Sequence, residues 1–115
     1  ILVLGLSFKE NVPDIRNSKV VNLVFLLEKG GHHVSVHDPI AKKDDALNTY
    51  GIELLNNLKI NKTFDCVIGA VAHKRYQKFK ADEILALINP NGLLVDLKGI
   101  WRNKKFKQKI NRWEL

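Results

Sequence analysis

Residues 1–21, Ile1-Leu-Val-Leu-Gly-Leu-Ser-Phe-Lys-Glu-Asn-Val-Pro-Asp-Ile-Arg-Asn-Ser-Lys-Val-Val21, decide how the chain is read. Ile1 to Gly5 is an almost wholly apolar run and predicts a strand buried on both faces. Gly5, Asn11 and Pro13 predict an irregular loop, because each favours backbone conformations that end regular structure. A helix is expected from about Ser18, with Asn17 or Ser18 supplying the side-chain oxygen that caps its first free N–H groups. The loop between strand and helix carries Lys9, Asp14 and Arg16. In an open α/β sheet, ligands bind beyond the carboxyl ends of the strands. A cation-rich loop therefore stands where such a sheet works.

Further along, Val20 to Leu27 gives a broad apolar helix face, stopped by Gly30-Gly31. His33 to His37 alternates around two valines and reads as a second strand ended by Asp38-Pro39. A helix is expected over Ala41 to Tyr50, and Gly51 to Leu58 fits either a short strand or a helical segment. Phe64 to Val71 is the next buried strand. Phe79 to Ile88 reads as a helix with Asp82 and Glu83 at its positive end. Pro90-Asn91-Gly92 reads as a turn, Leu93 to Leu97 as a strand, and the end of the chain as a last helix with Trp101, Phe106, Ile110 and Trp113 on its apolar side. Alternation of this kind implies a parallel sheet with helices on both faces. The expected fold is α/β, a Rossmann-like doubly wound parallel sheet in a single three-layer domain spanning residues 1–115.

The length suits one domain with a real core. There is no methionine, and the chain opens directly on strand residues, which predicts a piece of a larger polypeptide. No apolar run approaches the roughly 20 residues of a membrane span, and no secretory signal is visible. The lone Cys66 excludes a disulfide framework and fits a reducing compartment. Set in an apolar run, Cys66 reads as packing. The formal charge of +7 allows a phosphorylated small ligand, a membrane surface or nucleic acid. Much of the excess lies between Lys98 and Arg112, where a solvated face is the simpler reading.

A dinucleotide fingerprint needs three glycines after the first strand, and only Gly5 is present. Asp38 therefore reads as a turn former before Pro39 rather than as a ribose-binding acid. Lys9 offers a point charge for phosphate and Arg16 a two-pronged donor. Asp14 can orient Arg16, and a purely local ion pair is equally open. Lys98 should share the strand-end edge with Lys9. Asp96 lies in an apolar run and must be paired, since an isolated buried charge is costly. His73 reads as a hydrogen-bonded loop residue. His32, His33 and His37 lack zinc-like spacing, so no metal site is indicated. No nucleophile, base and orienting acid stand together, so no catalytic residue is assigned.

The stretch Leu4 to Val20 resembles the opening of the C-terminal, UDP-binding domain of the UDP-glucose/GDP-mannose dehydrogenase family. Gly5, Leu6, Phe8, Lys9, Asp14, Arg16 and Ser18 match its Gly-Leu-x-Phe-Lys and Asp-x-Arg-x-Ser elements. Val36 to Pro39, Ala70 to Tyr76 and Val95 to Gly99 resemble three further family segments in the same order. The resemblance implies an NAD-dependent enzyme that oxidises the C6 hydroxyl of a UDP-sugar to a carboxylate, for surface polysaccharide precursors. It implies that Phe8, Lys9 and Lys98 bind the UDP-sugar and that Arg16 reaches toward the cofactor NAD. It also implies that the catalytic cysteine and lysine lie in N-terminal and central domains outside this sequence. A cytoplasmic homo-oligomer, with no nucleic-acid or membrane partner, is implied as well. Lys98 stands where many UDP-glucose dehydrogenases have arginine, which resembles the branch acting on UDP-N-acetylhexosamines. A stand-alone NAD- or nucleotide-binding module and a basic nucleic-acid-binding domain are the alternatives.

Overall fold

A computed structural model describes residues 1–58 and 61–115. In chain order it contains β1 (Leu2–Leu4), α1 (Lys19–Lys29), β2 (Ser35–His37), α2 (Lys43–Tyr50), β3 (Phe64–Gly69), α3 (Lys74–Gln77), α4 (Ala81–Leu85), β4 (Ile88–Asp96) and β5 (Asn111–Glu114). The five strands form one sheet in the order β2-β1-β3-β4-β5, and every neighbouring pair is parallel. The expected doubly wound α/β sheet is therefore present. From β1 the chain moves outward to β2 and then returns past β1 to β3. The reversal of direction between β1 and β3 is the switch point at which folds of this order open a crevice.

The core follows from the pleat. Val3 faces one side of the sheet with Val36 and Ile68, beneath Val21 and Val24 of α1. Leu2 and Leu4 face the other side with Val67 and Leu94, beneath Tyr76, Ile84, Leu87 and Trp101. Successive strand side chains point to opposite faces, so a strand of three residues feeds both layers. Gly69 in β3 leaves room for the indole of Trp101: a Cβ there would stand 2.7 Å from Cζ3. The indole Nε1–H donates to the Tyr76 carbonyl at 2.8 Å.

Several local expectations are revised. The Gly51 to Leu58 segment contributes one isolated parallel bridge, Leu54 to Val36. The helix expected over Phe79 to Ile88 is confined to Ala81–Leu85, because Ile88 pairs with Phe64 and draws the following backbone into the sheet. The Pro90-Asn91-Gly92 turn becomes an irregularity within β4. Pairing shifts between Phe64–Ile88 and Cys66–Leu93, and Asn91 takes φ 65°.

The largest revision is at the end of the chain. The expected last helix is absent, and Asn111–Glu114 instead pairs with Leu93–Asp96. Trp101 belongs to the core rather than to a helix face. A bare β4 edge would leave a row of backbone groups unpaired, and pairing with β5 satisfies them. The tail's cations hold this strand down. Arg112 donates to the Trp101 and Lys104 carbonyls at 2.8 and 3.1 Å and lies over the Phe106 ring. Arg102 pairs with Glu114 at 3.1 Å. No helix among the described residues is long and apolar enough to cross a membrane.

Candidate functional site

The carboxyl ends of β1, β3 and β4 meet around a pocket of about 260 Å³. Ser7, Phe8, Lys9 and Glu10 from the loop after β1 line it, with Ala70 and Val71 after β3 and Lys98 after β4. Asn17, Lys19 and Val20 close it from the start of α1. Phe8, Lys9 and Lys98, proposed from sequence to act together, thus line one crevice although 89 positions separate Lys9 from Lys98. Phe8 is 56% exposed at its rim. Gly5 makes the approach possible. It has φ 104°, and a Cβ there would stand 2.5 Å from Val71 Cβ, so only glycine lets the chain leave β1 at this angle.

Sequence reading missed Lys19. It brings a third ammonium group to a pocket whose lining holds one carboxylate, Glu10. The signal was its place in the first turn after the loop. Ser18 does not cap α1 as expected: its hydroxyl donates to the Leu6 carbonyl at 2.6 Å. Its side chain therefore leaves the first-turn N–H groups of α1 uncapped, and that turn forms a wall of the same pocket. Uncapped helix N–H groups and lysines both favour an anion.

Arg16 is placed elsewhere. Its guanidinium is bidentate to Asp14, at 3.1 Å from Nε to Oδ1 and 3.0 Å from Nη2 to Oδ2, and the side chain is 83% exposed. The hydrogen bond from Arg16 holds the Asp14 carboxyl below the usual carboxylate range. The braced guanidinium faces solvent and is not among the residues that line the lysine pocket.

Beneath the pocket lies a buried polar cluster of which the sequence revealed only parts. Asp38 Oδ2 accepts from the N–H groups of Leu6 and Ser7, the Ser7 hydroxyl and His73 Nε2, at 2.7 to 2.9 Å. Its Oδ1 accepts from Ile40 and Ala41 N–H at 2.8 Å. The turn before Pro39 is as expected, but the carboxylate also ties β2 to the loop after β1. Burial works to raise its pKa. The bonds from His73 and from backbone N–H groups outweigh that and hold the carboxyl well below its ordinary value.

With all these donors Asp38 has no acceptor capacity left for a ribose. That agrees with the reading of Asp38 as a turn former rather than a ribose-binding acid. Asp96, as required of a buried acid, accepts from Ile100 and Trp101 N–H at 2.8 Å and turns the chain beyond Lys98. His37 is buried against the Tyr76 hydroxyl at 2.8 Å. Burial, with Arg75 nearby, pushes it down to about 4. Among the described residues no group of three or more His, Cys, Asp or Glu side chains is placed to hold a metal ion.

Residues 2–103 match the family model of the UDP-glucose/GDP-mannose dehydrogenase family, UDP binding domain. The chain is 38% identical to Protein CapL of Staphylococcus aureus over 98% of its own length and 26% of the relative's. It is 39% identical to the UDP-N-acetyl-D-glucosamine 6-dehydrogenase of Pseudomonas aeruginosa, over 85% of this chain and 23% of that protein. Among solved structures it superposes on a UDP-D-ManNAc dehydrogenase from Pyrococcus horikoshii with TM-score 0.74 and 19% identity, covering 96% of this chain and 24% of that one. The chain thus spans about a quarter of the length of the relatives it matches.

Proposed function

This chain belongs to the UDP-glucose/GDP-mannose dehydrogenase family, and from that premise we propose that it is the UDP-sugar-binding, C-terminal domain of an NAD-dependent nucleotide-sugar 6-dehydrogenase. The observation that carries the reading is the meeting of Phe8, Lys9 and Lys98 with Lys19 around one pocket at the β1/β3 switch point. Lys9 and Lys98 are charge partners for the diphosphate, and the uncapped first turn of α1 faces the same anion. Phe8 offers a flat apolar surface to the uracil or sugar ring. Relatives named for N-acetylated sugars support a UDP-N-acetylhexosamine as the substrate, oxidised at C6 to the carboxylate for a surface polysaccharide precursor.

The oxidation draws on residues outside this chain. NAD, which accepts the hydrides when bound, is held by a separate domain of the same polypeptide, and Arg16 is this chain's contribution to it. The exposed, Asp14-braced guanidinium suits that task. N-terminal and central domains complete the cleft, in a cytoplasmic homo-oligomer.

Calorimetric titration with UDP, NAD and a short DNA duplex tests the reading. Saturable UDP binding is expected, without NAD or DNA binding. Lys9→Ala and Lys98→Ala should each weaken UDP about tenfold, the scale of one charged hydrogen bond. Arg16→Ala should leave it unchanged. Equal losses for Lys9→Ala and Arg16→Ala overturn the division of roles. DNA binding that collapses with salt, without UDP binding, overturns the reading itself.

A further inference from the structure

The loop that carries Phe8 and Lys9 is fastened at both ends by one buried pair. At its start, Leu6 and Ser7 donate three hydrogen bonds to Asp38 Oδ2. At its end, Asn11 N–H donates to His73 Nδ1 at 2.9 Å, and Asn11 Oδ1 accepts from Lys74 N–H at 3.0 Å. His73 Nε2 meets the same Asp38 oxygen at 2.9 Å, and both side chains are fully buried. Phe8 N–H donates to the Asp14 carbonyl at 2.7 Å, closing the base of the loop. Phe8, Lys9 and Glu10 are left as a short exposed arch between the two fastenings.

The hydrogen bonds fix the imidazole's proton. Asn11 N–H can only donate, so Nδ1 is the bare nitrogen. Asp38 is an ionised acceptor, so Nε2 carries the hydrogen. A second proton, on Nδ1, would point one N–H at another and open the Asn11 fastening. The neutral Nε2–H form is the only one that spans both partners. Asn11 sits at φ 62°, a left-handed conformation that asparagine tolerates better than most non-glycine residues, and its two bonds to the 73–74 segment hold it there.

We propose that His73 is a positioning residue for the uridine diphosphate pocket: in its neutral Nε2–H form it couples Asn11 to Asp38 and so holds the Phe8–Lys9 arch in its binding shape. The inference rests on the reading of the pocket given above. Without the Asn11 fastening the arch must be ordered during binding, and that ordering is subtracted from affinity.

Two substitutions separate positioning from folding. His73→Gln sets an amide N–H2 near the place of Nε2, serves Asp38 and abandons Asn11. His73→Asn sets an amide oxygen near the place of Nδ1, serves Asn11 and abandons Asp38. His73→Gln is expected to bind UDP about tenfold more weakly, the cost of ordering on the order of one backbone residue, with faster hydrogen exchange at the Asn11 amide. His73→Asn is expected to melt lower yet bind UDP within about threefold of wild type at a temperature where it is folded, a difference well under one hydrogen bond's worth. Nitrogen-15 NMR of wild type should show His73 neutral and protonated on Nε2.

Affinity that follows melting temperature across the two variants, rather than the Asn11 bond, overturns the role, as does a His73 found protonated on Nδ1. If wild type binds UDP and His73→Gln binds it equally well, the positioning role alone is refuted. If wild type does not bind UDP while the Asn11 amide is still protected, the pocket's assignment fails and this role fails with it.

Discussion

Asp38→Asn should be among the most damaging single changes in this chain, and its cost can be worked from the hydrogen bonds. Four donors converge on Oδ2 and two on Oδ1. An asparagine must turn its N–H2 toward one set. The less costly choice faces Ile40 and Ala41, which strands two backbone donors against a third. At ~1–3 kcal/mol for each stranded group, the loss is about 4 kcal/mol. A domain of this size has about 6–17 kcal/mol in total. With about 0.24 kcal/mol per degree of unfolding entropy, the melting temperature should fall by about 17 °C.

Differential scanning calorimetry at pH 7 reads this directly, with Asp14→Asn as the control. The Asp14 carboxylate also accepts three hydrogen bonds, all from Arg16, but at the surface, and exposed ion pairs contribute little. Its substitution should leave the midpoint essentially where it was. The pH dependence has a definite sign. The folded carboxyl of Asp38 lies below its unfolded value of 3.8, so its stabilisation is complete above that value and is lost as pH falls toward the folded one. Asp38→Asn should lack that part of the acid sensitivity. A fall of less than about 5 °C, or equal falls for the two variants, would refute the reasoning.

Three further outcomes are expected. Burial lowers His37 from 6.5 to about 4, so unfolded chains take up the proton first; stability should be complete above pH 6.5 and fall by up to about 3 kcal/mol by pH 4. Urea unfolding across that window checks this, and a His37→Gln variant with the same slope counts against it. Gly69→Ala places a Cβ 2.7 Å from Trp101 Cζ3 and should cost about 1–3 kcal/mol by overpacking, with a shifted tryptophan emission; an unchanged melting point and spectrum sink the idea. Burial raises the Cys66 thiol, so a disulfide reagent at pH 8 should label it more than about tenfold more slowly than free cysteine, and labelling at the free rate contradicts the packing role.

The sequence alone carried the sheet. Residues 1–5, 33–37, 64–71 and 93–97 each have a period or an unbroken apolar run that only a buried strand accommodates, and the polar and glycine breaks between them are local signals. It also placed Phe8, Lys9 and Lys98 at strand ends, because strand direction in a parallel sheet follows from the alternation of elements. Pairing across long separation was not legible there. The tail's aromatic and basic spacing fits a helix locally, yet Asn111–Glu114 is a strand because the free edge of β4 supplies partners that no local pattern encodes. Nothing in the local pattern by itself singles out Lys19, which the fold sets beside Lys9 and Lys98. Asp38 looked like a turn former, and His73 like a loop residue 35 positions away. Their joint hold on the loop after β1 exists only because β1, β2 and β3 end side by side, where one oxygen of the residue that follows β2 can collect donors from the segments that follow β1 and β3.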